Sequence, residues 1–388
     1  MIRALHIGKY YPPFAGGMEH FLADLLPALQ RRGIATAALV HDEQRGRSGQ
    51  RPAANDSPAI YRATCHGQLL YAPLSPTFPF WLKRAIDEFQ PNLLHLHLPN
   101  TSAFSVLAVP AARRLPWVVH WHADVVASAI DRRLALAYHL YQPFERRLLT
   151  AAKAIIATSP PYLEASAALT PWRERCHIIP LGLDPARIPD PDPAALARAR
   201  VLWGNASFRV LAIGRLTYYK GHEILIQAAP ALPTSRILIV GIGKQRERLA
   251  ALIQSLGLGD WVALPGFQSE TDLNALLASC DVLCLPSLER TEAFGLVLLE
   301  AMRFGKPVVV SDIVGSGTGW VARQAGHGLL APVGDAPALA AVLRELQHNP
   351  IQRQALGRSG SIALLEQFGI DPVAAAVAAL YERLLSGG

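Results

Sequence analysis

The sequence has 388 residues, of which 51% are hydrophobic and 17% are charged. This length favours two domains, and this composition excludes disorder over most of the chain. The apolar runs are interrupted well before the ~20 residues that a membrane-spanning helix needs. Four cysteines without zinc-like spacing and no signal-like segment after Met1 lead us to expect a soluble, cytoplasmic protein.

The net charge of +7 is unevenly distributed. Residues 1–184 contain 19 Lys and Arg against 13 Asp and Glu, a balance of +6, whereas residues 185–388 contain 18 against 17, a balance of +1. A basic half attracts nucleic acid, an anionic membrane or a phosphorylated substrate, although solvated helix faces explain the charge equally well.

Short apolar runs alternate with longer amphipathic segments along the first half of the chain. This alternation indicates βαβ units, whose parallel sheet is buried on both faces. We predict strands at 2–8, 34–40, 92–97, 117–121 and 154–158, helices near 18–32, 80–89, 101–114 and 129–152, and a mobile surface loop at 43–58.

Residues 182–193 form the strongest breaker cluster of the sequence, which we interpret as an interdomain linker. The alternation then begins again, with strands predicted at 208–214, 236–240, 261–264, 281–285 and 307–310 and a last helix at about 371–386. The sequence therefore predicts an α/β protein with two doubly wound parallel-sheet domains, 1–184 and 185–370. We expect them to face each other across a cleft at the carboxyl ends of their strands, where ligands bind.

Two loops that follow predicted strands could bind phosphate. Gly16-Gly17 precedes a helix whose N-terminus favours an anion, although a plain turn explains the pair at least as well. Arg215 and Lys220 lie in one glycine-bounded loop after the first strand of the second domain. A planar guanidinium fork and an ammonium group together fit a phosphate, the alternative being two exposed surface cations.

The segment 289–301 is the most informative one in the sequence. Glu292 ends a loop after an apolar strand, and Glu300 lies in the second turn of a helix that begins at Gly295. A carboxylate on so apolar a helix needs hydrogen-bond donors, which a hydroxyl-rich ligand supplies. Backbone amides at the helix start face any phosphate bound there: those of Phe294, Gly295 and Leu296.

His122 and Asp124 follow the strand predicted at 117–121. A histidine in an apolar row is commonly a structural group, but the position at a strand end and the neighbouring carboxylate make a functional role equally plausible. A zinc site is conceivable, although it would bury four imidazoles in a sheet core; its ligands would be His95, His97, His120 and His122.

With these residues in this order, the chain resembles the retaining glycosyltransferases of family 4, which have the GT-B fold of two Rossmann-like domains. Four matches carry the resemblance: Gly16-Gly17, His122, Arg215 with Lys220, and Glu292 with Glu300, which are separated by seven residues. They span nearly the whole chain, and the segment 292–300 is the most specific of them.

The resemblance implies that the second domain binds a nucleotide-sugar donor. Arg215 and Lys220 would hold the diphosphate, Glu300 would bind the ribose hydroxyls, and Glu292 would bind hydroxyls of the transferred sugar. His122 would contact that sugar near the reacting carbon. The resemblance implies a catalytic role for four residues: His122, Arg215, Lys220 and Glu292. Further donor contacts are implied for Gly16, Gly17, Gly266, Phe267, Ala293, Phe294, Gly295 and Leu296.

The family retains the anomeric configuration of the donor. A double displacement needs a carboxylate nucleophile near the anomeric carbon; Asp124 is the only acidic residue beside His122, and we assign it to the acceptor side instead. The resemblance favours front-face attack, in which the leaving phosphate takes the acceptor proton. Because two cations can supply the electrostatic effect of a metal ion, we expect no metal and no cofactor besides the donor substrate.

The segments 121–124 and 287–295 resemble those of bacterial transferases that build polysaccharides, often from GDP-mannose; a UDP- or dTDP-sugar would fit the same frame. The expected acceptor is a glycan or a polyprenyl-linked sugar at the inner membrane face. The last helix, 371–388, would pack back on the first domain. We expect this basic domain to dock peripherally on anionic lipid through Arg132-Arg133, Arg146-Arg147 and the apolar segment 78–82.

Other classes of function are kept as alternatives. A nucleotide-sugar epimerase or hydrolase would consume the donor without an acceptor. A nicotinamide oxidoreductase needs a third glycine, but Gly241-Ile-Gly243 is followed by Lys244-Gln-Arg246. A nucleic-acid binder would interleave aromatic and basic residues, which this chain does not, so we expect no nucleic-acid partner.

Overall fold

The computed structural model describes residues 1–14, 16–42, 52, 58–69, 72–125 and 132–386. The predicted surface loop at 43–58 lies outside these residues except for 52 and 58, and so does the beginning of the helix predicted at 129–152.

Strands and helices alternate along the first part of the chain. Its strands are β1 (Arg3–Ile7), β2 (Ala35–His41), β3 (Ala59–Ala63), β4 (Gln68–Leu69), β5 (Ala72–Pro73), β6 (Leu93–Leu98), β7 (Trp117–Trp121), β8 (Ala154–Ala157) and β9 (Cys176–Ile178). Its helices are α1 (Gly17–Arg31), α2 (Phe78–Phe89), α3 (Pro110–Arg113), α4 (Arg132–Ala151) and α5 (Pro160–Ala165).

The second part repeats this alternation and ends in a long helix. Its strands are β10 (Phe208–Ile213), β11 (Ser235–Val240), β12 (Val262–Gly266), β13 (Val282–Leu285), β14 (Val308–Ser311) and β15 (Gly328–Ala331). Its helices are α6 (Pro193–Trp203), α7 (His222–Ala228), α8 (Arg246–Ser255), α9 (Glu270–Ser279), α10 (Leu296–Arg303), α11 (Gly317–Gln324), α12 (Ala336–His348), α13 (Pro350–Ala363) and α14 (Ile370–Ser386).

The chain divides into two units, each built on one parallel sheet. One unit comprises residues 1–182 and 370–388, and the other comprises residues 183–369. The first unit has a seven-stranded sheet in the order β3-β2-β1-β6-β7-β8-β9, and the second has a six-stranded sheet in the order β12-β11-β10-β13-β14-β15. The central strands are buried along their length, as in β6 and β7, which explains why most of their residues are apolar.

The last helix belongs to the first unit. It packs against α1, where Arg31 forms a 2.8 Å ion pair with Asp371, and its Tyr381 is fully buried. No helix in the described part of the chain is both long enough and apolar enough to span a bilayer.

Several predicted elements differ from the structure. The helix predicted at 101–114 is wrong: a 3-10 helix ends at Leu107 and a separate short helix begins at Pro110, because proline cannot continue a helix but suits its first position. The prediction omitted the two-residue strands β4 and β5, which pair with each other, and three edge strands, β3, β9 and β15. Their partial burial leaves no long apolar run in the sequence.

Candidate active site

The predicted donor-binding residues of the second unit follow three strands of its sheet. The loop with Arg215 and Lys220 follows β10, Gly266 ends β12, and Glu292 lies in the loop after β13. Because all strands of this sheet are parallel, their carboxyl ends lie along one edge. The fold therefore brings residues that are distant in the sequence to the same edge of the sheet.

Two glycines determine the path of the loop after β10. Gly221 has a φ of +63°, and a β-carbon on it would lie 2.0 Å from the carbonyl oxygen of Pro286, just beyond β13. A β-carbon on Gly214 would lie 3.0 Å from the Lys220 Cε atom. The backbone amide of Leu288 also donates to the carbonyl of Tyr219 at 2.7 Å. Glycine thus permits the two loops to meet and leaves room for the lysine side chain.

Lys220 and Glu292 are in direct contact at this edge. The Lys220 Nζ atom lies 2.5 Å from Glu292 Oε2, and both side chains are 12% exposed. The loop of Glu292 is held from the other side, since the hydroxyl of Ser316 donates to the Glu292 carbonyl at 2.5 Å and the Gly317 amide donates to Ala293 at 2.8 Å. A cation and a carboxylate are therefore held side by side in a largely desolvated position.

Helix α10 begins immediately after this loop. Gly295, with a φ of +76°, is its N-cap and provides no side-chain hydrogen bond to the first turn. Leu298, Leu299, Ala301 and Met302 are fully buried on this helix, as its apolar sequence predicts, while Glu300 is half-buried. Ala293, Phe294 and Leu296 are buried at the helix start, so these residues can meet a ligand chiefly through their backbone.

Two predicted residues lie at the exposed border of the same edge. Arg215 is exposed, and its guanidinium donates to the Tyr219 hydroxyl at 3.3 Å. Phe267, directly after β12, has 69% of its surface exposed. Gly266 precedes it with a φ of +81°, which gives the turn after this strand a conformation that other residues adopt with strain.

The structure also explains two glycines that the sequence left without a role. A β-carbon on Gly241 would lie 2.0 Å from the carbonyl oxygen of Gly214, and one on Gly243 would lie 2.4 Å from that of Leu216. The loop after β11 is therefore packed on the Arg215 loop, and Gly-Ile-Gly serves a close backbone approach. In the sequence, the Gly-x-Gly spacing indicates a tight turn after β11. It does not show that this turn packs on the Arg215 loop.

In the first unit, the glycine pair lies at the start of α1, which begins at Gly17. A β-carbon on Gly16 would come within 2.2 Å of the Glu19 Oε2 atom. Glu19 is buried in the first turn, where a carboxylate is favoured by the helix dipole. Gly16 therefore makes space for an acidic group of the chain itself at the helix terminus.

His122 is the first residue after β7 and is 7% exposed. Its Nε2 atom lies 2.9 Å from His97 Nδ1, and its ring stacks on His120 with centroids 4.4 Å apart. Burial lowers the pKa of His122 to about 3. His122 is therefore a neutral imidazole at physiological pH, able to donate or accept a hydrogen bond but not to act as a cation.

The four imidazoles that the sequence analysis considered as zinc ligands lie close together, and His6, which it did not consider, lies beside them. His6, His95 and His97 form one group with nitrogen atoms within 4.8 Å of one another, and His97, His120 and His122 form a second. Burial lowers the pKa of every member. Within the described residues, no carboxylate hydrogen-bonds any of these rings.

Asp124 is tied to its own unit by three hydrogen bonds. Its Oδ1 atom accepts from Trp121 Nε1 at 2.8 Å and from the Ser166 hydroxyl at 2.7 Å, and its amide donates to the Tyr162 hydroxyl at 2.6 Å. These contacts hold the backbone after His122 in place. The carboxylate thus supports the position of the histidine.

Sequence reasoning missed Glu145 on α4. This carboxyl group is 1% exposed, and its Oε1 atom accepts from the Tyr138 hydroxyl at 3.4 Å. Burial, and secondarily the charge of Asp124, raise the pKa of Glu145 to about 7. A glutamate next to two arginines looks like a solvated surface residue in the sequence, so no local signal could have found it.

The predicted docking segment 78–82 is wrong as a surface patch. Phe78, Trp81 and Leu82 are 1%, 7% and 0% exposed, and only Phe80, at 61%, faces solvent. Because α2 is amphipathic, its apolar residues cover the sheet. Of the two arginine pairs, Arg146 and Arg147 are exposed, whereas the side chains of Arg132-Arg133 lie outside the described part of the structure.

Family models match both units. Residues 16–182 match the model described as a glycosyl transferase 4-like domain, and residues 196–361 match the model of the glycosyl transferases group 1. The O-antigen chain mannosyltransferase C of Escherichia coli is 31% identical over 390 residues, which cover 99% of both proteins. The D-rhamnosyltransferase WbpZ of Pseudomonas aeruginosa is 33% identical over 253 residues, 65% of this chain and 64% of the relative.

Solved structures show the same fold. Sucrose-phosphate synthase from Thermosynechococcus elongatus superposes with a TM-score of 0.80 at 24% identity, with 100% of each chain covered. The family, the fold and the enzyme class that the motifs predicted are confirmed by these matches. The chain belongs to the family 4 glycosyltransferases and is a glycosyltransferase with the GT-B fold of two Rossmann-like domains.

Proposed function

We propose that this enzyme transfers mannose from GDP-mannose to a hydroxyl of a glycan or a lipid-linked sugar, with retention of the anomeric configuration, in the synthesis of a cell-surface polysaccharide. The contact between Lys220 and Glu292 carries the proposal. It sets a cation suited to a diphosphate beside a carboxylate suited to sugar hydroxyls. The similarity to a mannosyltransferase of E. coli over 99% of both chains supports the choice of sugar.

The residues of the second unit would bind the donor along the carboxyl edge of the sheet. Lys220 and exposed Arg215 would bind the diphosphate, together with amides at the start of α10, whose first turn has no side-chain cap. Glu292 would then exchange part of its contact with Lys220 for hydroxyls of the sugar. Glu300 would bind the ribose, and the backbone of Gly266 and Phe267 would meet the base.

In the transfer step, the acceptor oxygen bonds to the anomeric carbon on the face from which the phosphate departs. The bond between that carbon and the phosphate oxygen breaks, and the acceptor proton moves to the leaving phosphate. Lys220 and Arg215 stabilise the charge that develops there. Neutral His122, together with Gly16 and Gly17 of the first unit, would contact the donor, and Asp124 would lie toward the acceptor.

The lipid-linked acceptor would require the enzyme to work at a membrane surface. Helix α4 exposes Leu140 and Phe144, with 74% and 48% of their surfaces accessible, and Arg147 follows one helical turn later on the same face. Exposed apolar and basic residues together suit the interface of an anionic bilayer. We assign peripheral docking to this face of α4.

Thermal shift with nucleotides tests the donor. The purified enzyme is heated with GDP, UDP, dTDP or ADP and with their sugars; a ligand at 100 times its Kd stabilises the folded state by ~2.7 kcal/mol. We expect a shift with GDP and GDP-mannose, a loss of that shift in Glu300→Gln, and no loss in Glu247→Gln, an exposed control on α8. A shift with UDP or dTDP compounds only would mean that the donor is a UDP- or dTDP-sugar and not GDP-mannose.

Transfer itself is measured by mixing radiolabelled GDP-mannose with lipid-linked and free glycan acceptors. Product that depends on an acceptor supports the proposal. Equal consumption of donor with and without acceptors would instead identify a hydrolase or an epimerase. An enzyme that binds none of the four nucleotides would refute the assigned donor site.

A further inference from the structure

Five buried histidines lie side by side in the sheet of the first unit. His6 is on β1, His95 and His97 are on β6, His120 is on β7, and His122 follows β7 directly. These three strands are neighbours, with His6 paired to His95 and His97 paired to His120 in the register. All five rings are between 0% and 7% exposed, so contacts with one another replace contacts with water.

Three of these rings form a chain through their nitrogen atoms. His6 Nδ1 lies 3.0 Å from His97 Nε2, and His97 Nδ1 lies 2.9 Å from His122 Nε2. The ring planes differ by 26° and 24°, and the ring centroids are 5.4 and 5.2 Å apart. In both pairs the ring centroids are more than 2 Å farther apart than the two facing nitrogens, so the nitrogens point toward each other, as in an N–H···N hydrogen bond. By contrast, His120 stacks face to face on His122, with centroids 4.4 Å apart.

A tyrosine from the last helix ends the chain. The hydroxyl of Tyr381 lies 3.4 Å from His6 Nε2 and 2.5 Å from His95 Nδ1. A neutral imidazole has one N–H donor and one acceptor nitrogen. The proton position on any one ring therefore determines those on the other two. When the single proton of the Tyr381 hydroxyl points to the nearer nitrogen, on His95, its oxygen accepts from His6 Nε2, and His122 then carries its proton on Nε2.

We propose that the hydrogen-bonded chain from Tyr381 through His6 and His97 fixes the tautomer and ring orientation of His122, so that His97 is a positioning residue for sugar transfer. His122 Nδ1 is buried without a hydrogen-bond partner in the described structure. It is thus the nitrogen left for a ligand, and the chain decides whether it donates or accepts. The kinetic consequence rests on the proposed contact of His122 with the donor; the tautomer itself does not.

The geometry favours protons over a metal ion between these rings. Two nitrogens bound to one tetrahedral zinc ion lie about 3.3 Å apart, farther than the distances of 3.0 and 2.9 Å found here. Metal-bound histidines usually donate their other nitrogen to a carboxylate or a carbonyl. The described residues offer these rings no such carboxylate, and burial lowers the pKa of His97 well below its usual range, which keeps the rings neutral.

The direct test is nuclear magnetic resonance of the full-length enzyme labelled with ¹⁵N in histidine, without any donor. We expect a single His122 tautomer and a scalar coupling across the hydrogen bond between the His97 and His122 nitrogens. In His97→Leu, the coupling disappears and His122 shows both tautomers. In His120→Leu, which removes the closest stacked ring but no hydrogen bond of His122, the spectrum of His122 keeps a single tautomer.

Steady-state kinetics provide the second readout. We expect His97→Leu to lower kcat about tenfold with little change in KM for the donor, and His120→Leu to stay within twofold. His97→Asn, whose amide can replace Nδ1 toward His122, should recover much of the lost kcat. Thermal unfolding of each variant confirms that the protein compared is folded.

Several results would overturn the proposal. Both tautomers of His122 in the unaltered enzyme would do so, and so would wild-type kcat in His97→Leu. Stoichiometric metal in the purified enzyme that is lost in His97→Leu would replace the hydrogen bonds with a metal site. The resonance measurement uses no donor, so it tests the hydrogen-bonded chain even if the enzyme uses another donor or reaction. This separates the proposal from the proposed function.

Discussion

Lys220 and Glu292, which lie 72 positions apart in the sequence, form a 2.5 Å ion pair in which each side chain is 12% exposed. Few surface pairs are so desolvated, and a pair in such a place adds little net stability because two ions must leave water. Binding of a diphosphate and a sugar would supply new partners to both groups. Under the proposed function, the pair would therefore be held ready for a charged, hydroxyl-rich ligand.

Neutralising the pair should separate stability from activity. Lys220→Met or Glu292→Gln alone leaves one desolvated charge without its partner and should lower the free energy of unfolding by about 3 kcal/mol. The double variant removes both charges and should recover most of that stability. Transfer should stay reduced roughly 100-fold or more in all three, because the electrostatic contacts are lost. Denaturant unfolding and initial rates check this; an active double variant would remove both residues from the site.

Gly221 can be compared with a matched glycine elsewhere in the same unit. Gly221 and Gly257 have similar φ values of +63° and +66°, but a β-carbon on Gly257 meets nothing within 4 Å. Gly257→Ala should therefore show only the left-handed strain of about 1–2 kcal/mol. Gly221→Ala adds the collision with Pro286 and should lower stability further, with a loss of nucleotide binding. Equal unfolding midpoints and equal thermal shifts for the two variants would contradict the packing of these loops.

Acid should destabilise the protein through its buried histidines. Burial lowers the pKa of His6 and His122 to about 3 from 6.5, so the unfolded chain binds more protons between these values. Stability is therefore fully present above pH 6.5 and is lost as the pH falls, by up to about 1.4 kcal/mol per pH unit for each such histidine. Unfolding midpoints measured between pH 8 and pH 5 should decrease steadily.

His120→Leu should weaken this acid response. Neither nitrogen of His120 has a hydrogen-bond partner in the described structure, so leucine removes about 1–3 kcal/mol of unfavourable burial. The midpoint at pH 7 should rise, and its decrease toward pH 5 should be shallower. The exposed His66 serves as the control, since its replacement by leucine changes no buried group. A steeper decrease in His120→Leu would refute the assignment of acid sensitivity to this cluster.

Glu145 should have the opposite pH dependence. Its pKa is raised from 4.5 to about 7, so the folded protein binds more protons between these values. The contribution of Glu145 to the free energy of unfolding is fully present below pH 4.5. It is lost as the pH rises through 7, which lowers the free energy of unfolding by about 3 kcal/mol in total. Glu145→Gln imitates the protonated acid and should stabilise the protein at pH 8 but not at pH 4.5. Thermal unfolding at both pH values, with exposed Glu164→Gln for comparison, decides the matter.

Co-sedimentation with lipid vesicles tests the face of α4. Leu140→Ser with Phe144→Ser should reduce binding to phosphatidylglycerol vesicles at low salt several-fold, because both side chains are apolar and exposed on that face. Ile351→Ser with Ile362→Ser changes two comparably exposed residues of α13 and should leave binding unchanged. Equal binding to neutral and anionic vesicles would show that the basic charge of the first unit has no part in docking.

Much of the fold could be predicted because its central strands are buried on both faces. The runs at β1, β6 and β7 are mostly apolar, and their predicted and observed limits differ by no more than one residue. The edge strand β3 and the interrupted segment at Pro110 were missed for the converse reason. An edge strand needs little apolar surface, and a 3-10 helix has the same composition as an α-helix.

The order of motifs by itself determined the family and the enzyme class. It also supplied the candidate residues of the site, because a glycine, a cation or a carboxylate after a buried strand is visible in the sequence. Only the tertiary structure decided which of these groups touch. The sheet of the second unit places Lys220 against Glu292. The sheet of the first unit lines up His6, His97 and His122 in one chain that ends at Tyr381, 375 positions after His6 in the sequence. Contacts and burial depend on how strands pair and helices pack, and burial in turn sets the protonation of His122 and Glu145. Local sequence therefore could not show which groups touch or which protonation states they have.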